Sequence, residues 1–190
     1  RARNVGKLAD GTVLAPQFIE NKLKFSPYIG EAIVFGDGRK FVAAIVAIDA
    51  ATVGNWAERQ NLAYTSFQDL ASRAEVRTLI RDEIRKCNAG LPEAIRVRRF
   101  LVLNKEFDAD DDEITRTRKI RRRFVAEKYA AIVEAFYTGA DSVEVSAAIT
   151  YEDGRKAVLR SMITIADVEE PDAPIAATRA RAREPAAAAE

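Results

Sequence analysis

The stretch Glu113-Ile114-Thr115-Arg116-Thr117-Arg118-Lys119-Ile120-Arg121-Arg122-Arg123 holds the side chains best suited to chemistry. Asp108, Asp110, Asp111, Asp112 and Glu113 make its approach acidic, and six basic residues follow from Arg116 to Arg123. Three readings fit such a segment: a nucleic-acid patch, a solvated helix start, or a loop that delivers one lysine to a phosphate. For an arbitrary basic helix start the solvated face is the commoner outcome. Cations at a helix N-terminus nevertheless oppose the helix dipole, which leans weakly toward another use for the charges. A flexible ammonium suits phosphate oxygens, or the charge that develops between a carboxylate and a phosphate. A stacking surface for single-stranded nucleic acid would interleave aromatic residues with the charges, and this segment does not.

A second segment, Asp10-Gly11-Thr12-Val13-Leu14-Ala15-Pro16-Gln17-Phe18-Ile19-Glu20, combines a tight-turn dipeptide with a helix start. Its plain reading is a hairpin entering a helix. Its functional reading uses the glycine, which lets a backbone approach a ligand closely.

Composition limits what else the chain can do. It has 190 residues, 48% of them hydrophobic, enough for one or two domains with a real core. Lys and Arg number 30 against 29 Asp and Glu, so no global field draws the chain to nucleic acid or to a membrane surface. There is no histidine and one cysteine, Cys87. That removes disulfides within the chain, nucleophile systems built on histidine, and a structural zinc site. It is compatible with a reducing cytoplasm. Cys87 itself reads as an inert core thiol and Trp56 as packing. No apolar run approaches the roughly 18 residues of a membrane span, and no signal peptide is legible. The chain opens on Arg1-Ala2-Arg3-Asn4 without a methionine, which reads as a cut through a longer protein.

The elements that must position the two segments follow from periodicity. Residues 5–15 read as two short extended pieces around Asp10-Gly11, and Pro16 suits the first turn of a helix ending before Ser26-Pro27. Residues 29–35 and 41–48 read as strands joined by Gly36-Asp37-Gly38-Arg39; the second is apolar on both faces and so central in its sheet. Helices are predicted over 51–61, 73–88 and 119–137, and a strand over 95–103. Residues 143–165 alternate about the turn Glu152-Asp153-Gly154-Arg155 and predict a β-hairpin, placed either over a sheet edge or against another subunit. Residues 170–190, rich in Pro, Ala, Arg and Glu, read as a disordered tail.

In this order and at this separation, the two chemical segments resemble the C-terminal domain of the AMP-forming acyl-CoA synthetases, within the adenylate-forming superfamily. The likeness is closest to the long-chain fatty acid branch. Lys7 to Glu20 is similar to the eighth core motif of that family, and Asn21-Lys22-Leu23-Lys24-Phe25-Ser26-Pro27-Tyr28-Ile29-Gly30-Glu31-Ala32 continues as the long-chain branch does. Glu113 to Arg122 is similar to the tenth motif, with its invariant lysine at Lys119.

The resemblance implies an α+β fold, a small mixed β-sheet flanked by helices, with a C-terminal hairpin and tail. It implies a hinge at 1–5 that includes Arg3 and Asn4, a domain at 6–138, a hairpin extension at 139–169 and the tail at 170–190. It implies that ATP and a fatty acid give an acyl-adenylate and pyrophosphate, and that CoA then displaces AMP. Lys119 would serve adenylation, supported by Arg118, Arg121 and Arg122. Asp10, Gly11 and Thr12 would line the pantetheine path after the domain rotates. ATP and CoA would be substrates, with Mg2+ held by an N-terminal adenylation domain that this chain lacks and without which it is inactive. The enzyme would be cytoplasmic, with or without peripheral membrane contact, and nucleic acid is not an expected partner.

Arg116 stands where many relatives have proline, Ala9-Asp10 where they have two small residues, and Arg3 where Asp or Lys is usual. Lys119 is therefore the firmest residue carried over. Two other classes stay open: a free-standing interaction domain without catalysis, and a basic-loop RNA-binding module using Arg118 to Arg123.

Overall fold

Seven consecutive buried residues, Val42–Ile48, set the architecture. Their side chains divide with the period of a strand: Val42, Ala44, Val46 and Ile48 enter one apolar cluster, and Ala43, Ile45 and Ala47 enter another. A strand apolar on both faces requires helices or further chain on both faces. The computed structural model, which describes residues 5–107, 112–117, 119–150 and 156–169, supplies that cover.

A two-stranded antiparallel hairpin, β1 (Gly6–Lys7) and β2 (Val13–Leu14), leads into α1 (Pro16–Leu23). Next come β3 (Ile29–Phe35), β4 (Val42–Ile48), α2 (Ala50–Arg59), α3 (Phe67–Ser72), α4 (Ala74–Ala89), a 3-10 turn (Glu93–Ile95) and β5 (Val97–Val102). The chain closes with α5 (Arg122–Lys128), α6 (Ala130–Tyr137), β6 (Ser142–Thr150) and β7 (Lys156–Asp167). The five-stranded sheet has the order β3-β4-β5-β7-β6. Only β4 and β5 are parallel, with Ile45 opposite Leu101, and α2 to α4 provide the crossover that a parallel pair needs.

The two faces are covered by different helices. Ile19 and Leu23 of α1, Val53 of α2, Leu70 of α3, and Val76, Ile80 and Ile84 of α4 pack on the first face. Val125, Ile132 and Phe136 of α5 and α6 pack on the second with Leu101, Ile163 and Ile165. Asn88, 4% exposed, fastens the end of α4 to the start of β5: its Nδ2 donates to the Val97 carbonyl at 2.8 Å and its Oδ1 accepts from the Val97 N–H at 2.9 Å.

Most predicted elements stand, including the mixed sheet, the hairpin at Asp10-Gly11 and the central place of β4. Two points differ, and the late hairpin takes the first of its two expected placements. The helix predicted from 119 starts at Arg122 and is divided at Tyr129, whose backbone (φ −104°, ψ 25°) leaves helical geometry where its side chain turns into the core. The short α3 was not anticipated, because six residues are too few for a periodic signal. Its local cue is the pair Ser66 and Asp69: the Ser66 hydroxyl caps the Asp69 N–H at 3.1 Å, and Asp69 accepts from the Thr65 N–H at 2.9 Å. The late hairpin is joined to the main sheet, with β7 pairing antiparallel to β5 at Phe100–Ala166 and Leu101–Ile165. It therefore covers the edge that β5 would otherwise expose. The predicted turn 152–155, the tail 170–190, and the hinge residues Arg3 and Asn4 lie outside the described residues. Among the described residues no helix is long and apolar enough to cross a membrane.

Candidate functional site

Lys119 closes a small loop opposite Thr115 rather than lying in a helix. The Thr115 N–H donates to the Lys119 carbonyl at 2.8 Å, and the Lys119 N–H donates to the Thr115 hydroxyl at 3.0 Å. Ile114 bridges antiparallel to Ile120, and the Arg121 N–H donates to the Glu113 carbonyl at 2.9 Å. The threonine thus replaces a missing backbone partner at the turn, as short hydroxyl side chains do. Ile114 and Ile120 pack their apolar sides on the second core cluster, while Thr115, Arg116, Thr117 and Lys119 are exposed. The ammonium is thereby carried on a fixed stem into solvent.

The stem is anchored by Glu113, which the sequence pattern had grouped with the acidic approach. It is 0% exposed. Its carboxylate accepts the Tyr129 hydroxyl and pairs with Lys128 Nζ at 2.8 Å and Lys105 Nζ at 3.0 Å. A buried carboxylate needs that degree of compensation. No local pattern separates Glu113 from Asp108–Asp112, because its partners come from the end of α5 and the chain after β5.

The turn Asp10-Gly11-Thr12 is built by equally local means. Asp10 Oδ1 accepts the Thr12 N–H at 2.9 Å, and the backbone closes through Leu8 N–H to Thr12 O and Gly11 N–H to Leu8 O, each 2.9 Å. The Thr12 backbone bond, then its hydroxyl, hold the Asp10 carboxyl below its ordinary value. Gly11 has φ +87°, a left-handed backbone that glycine adopts without strain. The hairpin is clasped to the β3–β4 connection. The Lys7 N–H donates to Asp37 Oδ1 at 2.9 Å, Gly38 N–H to the Lys7 carbonyl at 2.7 Å, and Ala9 N–H to the Arg39 carbonyl at 2.9 Å. Arg39 in turn pairs with Glu134 of α6 and lies over the Tyr137 ring, 4.9 Å from its centre.

The Asp10 turn and the Ile114 stem of the Lys119 loop therefore meet opposite ends of the β3–β4 hairpin, while Arg122 reaches back along β3 toward Asp37. The Asp10 turn is held at residues 36–39, where β3 passes into β4. Ile114, bridged to the residue after Lys119, lines a hollow with Gly30, Ala47, Ile48 and Asp49 at the other end. A seven-residue strand spans about 20 Å. Of the supporting basic residues, Arg122 is turned inward: it bonds the Glu20 carboxylate of α1 and donates to the Val34 carbonyl at 2.9 Å. Arg121 pairs with Asp112 and lies over the Phe124 ring at 5.5 Å. Arg118 lies outside the described residues. Cys87 is buried and free, and burial pushes its thiol up; Trp56 packs against the first cluster.

The family model described as the AMP-binding enzyme C-terminal domain matches residues 5–141. The long-chain-fatty-acid–CoA ligase FadD15 of Mycobacterium tuberculosis is 33% identical over 138 residues, covering 72% of this chain and 23% of that protein. The human long-chain-fatty-acid–CoA ligase 1 is 26% identical over 141 residues, covering 73% of this chain and 20% of that protein. The chain thus spans under a quarter of the length of these relatives. Among solved structures, the adenylation domain of a carboxylate reductase from Mycobacterium chelonae shares the fold, with a TM-score of 0.58 at 24% identity over 73% of this chain and 20% of that one. On the family match, the fold and the relatives together, the chain belongs to the AMP-binding enzyme C-terminal domains, of the kind found in long-chain fatty acid–CoA ligases.

Proposed function

We propose that this chain is the mobile C-terminal domain of a long-chain fatty acid–CoA ligase, completing two active sites in turn. In the first half-reaction a fatty acid carboxylate attacks the α-phosphorus of ATP, the bond to pyrophosphate breaks, and an acyl-adenylate forms. Lys119 places its ammonium on the carboxylate and phosphate oxygens as charge builds there. In the second, the CoA thiol attacks the acyl carbon and AMP leaves. The Asp10-Gly11-Thr12 turn then lines the path of the pantetheine arm, where the absence of a side chain at Gly11 leaves room.

The observation that supports this reading most is the placement of the Asp10 turn and the stem of the Lys119 loop at opposite ends of one hairpin. A fixed substrate site in an adenylation domain could meet one of them, and the other only after a rotation about a hinge at Arg3 and Asn4. The ATP site, the acyl site and the hold on Mg2+ belong to that partner domain, and this chain is inactive without it. Among the described residues no group of three or more His, Cys, Asp or Glu could hold a metal ion.

The test is product analysis with the full-length protein that carries these residues. Long-chain fatty acid, ATP and CoA should yield acyl-CoA, AMP and pyrophosphate in equal amounts. ADP and phosphate as products, or no thioester with any acyl chain, would contradict the proposal.

A further inference from the structure

We infer that Glu113 is the positioning residue for Lys119, an inference that rests on the assignment of Lys119 to adenylation. Where Thr115, Arg116, Thr117 and Lys119 of the loop are exposed, Glu113 is 0% exposed and ties the stem into the interior. Its main-chain carbonyl closes the neck through Arg121, one residue beyond the Ile114–Ile120 bridge, and the Thr115–Lys119 pair follows directly. Three successive pairs thus connect the buried carboxylate to the backbone of Lys119. The carboxylate is oriented from two sides: Oε1 by the Tyr129 hydroxyl and Lys128, Oε2 by Lys105 at 3.0 Å. Tyr129 is itself fixed edge-on against Phe107, with ring centres 6.4 Å apart.

A buried ionic cluster is a costly way to hold a loop, and well-packed apolar residues would often stabilise as much. Its advantage is direction. Two lysine ammoniums and a phenol, each paired to it, fix where a carboxylate stands, and the hairpin transmits that position to Lys119. The side chains of Lys105 and Lys128 are 27% and 32% exposed, so both can turn to water when the charge is removed. Glu113→Gln should therefore fold, keep an acceptor for Tyr129, and lose the ionic orientation.

In the full-length protein, Glu113→Gln, Tyr129→Phe and Lys119→Ala are compared by ATP–pyrophosphate exchange and by thioester formation from supplied acyl-adenylate. Amide hydrogen exchange is read over residues 113–121 and over β4 and β5. Displacing a reacting group by about 1 Å can cost on the order of a hundredfold in rate. Glu113→Gln should slow pyrophosphate exchange about ten- to a hundredfold, and Tyr129→Phe by less. Thioester formation should stay near wild type, and hydrogen exchange should accelerate over 113–121 alone. Pyrophosphate exchange that is intact in Glu113→Gln but lost in Lys119→Ala overturns the role of Glu113 and leaves that of Lys119. Intact pyrophosphate exchange in both overturns the Lys119 assignment as well. Loss of both half-reactions in Glu113→Gln, with faster hydrogen exchange in β4 and β5, would make Glu113 a support of the whole fold and overturn the inference.

Discussion

Arg122 grips the carboxylate of Glu20 and donates to the Val34 carbonyl at 2.9 Å, while Glu20 also accepts the Val34 N–H at 2.7 Å. Arg122 follows the lysine loop by three residues, and Glu20 lies in the helix that leaves the Asp10 turn. One clamp thus joins the two functional segments across β3 into a single body. On the proposed function, a body that carries its two loops at separate ends would turn as a whole to exchange them.

Loss of this clamp should weaken the domain without favouring either half-reaction. Removing one partner of a fully buried ion pair costs about 3–5 kcal/mol, and the part-exposed guanidinium brings the expected value for Arg122→Ala down to about 2 kcal/mol. Urea denaturation checks the stability change. Arg122→Lys should recover little, because an ammonium cannot span both acceptors as the planar fork does.

Gly11→Val probes the turn. At φ +87° a branched residue is strained, and a left-handed backbone costs an L-residue about 1–2 kcal/mol. The strain falls on a hairpin whose strands have two residues each, so it should open locally. Thioester formation from acyl-adenylate should fall at least about tenfold, the equivalent of 1.4 kcal/mol, with pyrophosphate exchange little changed.

Tyr137 gives a pH signature. Burial pushes its phenol from 10.0 up to about 12, partly relieved by Arg39. The folded state favours the neutral form, so its stabilising contribution is complete below pH 10 and is lost as pH rises toward 12. At high pH that loss is on the order of 2 kcal/mol. Thermal melts of Tyr137→Phe should decline less steeply than wild type over this window. At neutral pH the variant should be less stable by about 1 kcal/mol, for the lost bond to the Phe41 carbonyl.

Much of this arrangement was legible in the residues. Asp10-Gly11, Pro16 and the unbroken apolar run of β4 act locally, through turn geometry, a missing N–H and two-sided burial. Lys119 was singled out by its motif. What stayed hidden depends on partners distant in the chain. Glu113 looks like one more acid after Asp108–Asp112 until Lys105, Lys128 and Tyr129 close around it, and Arg122 looks solvated until Glu20 and Val34 meet it. The start of α5 was misplaced for a related reason: Thr115 captures the Lys119 backbone, so the helix cannot begin before Arg122.

The central claim is that the two loops serve different half-reactions, and Lys119→Ala in the full-length protein tests it most directly. Loss of a charge-assisted contact to a developing oxyanion costs about 3–4 kcal/mol of barrier, a hundred- to a thousandfold in rate. The account predicts a fall of that size in ATP–pyrophosphate exchange, with thioester formation from supplied acyl-adenylate close to wild type. Equal loss of both half-reactions would contradict it.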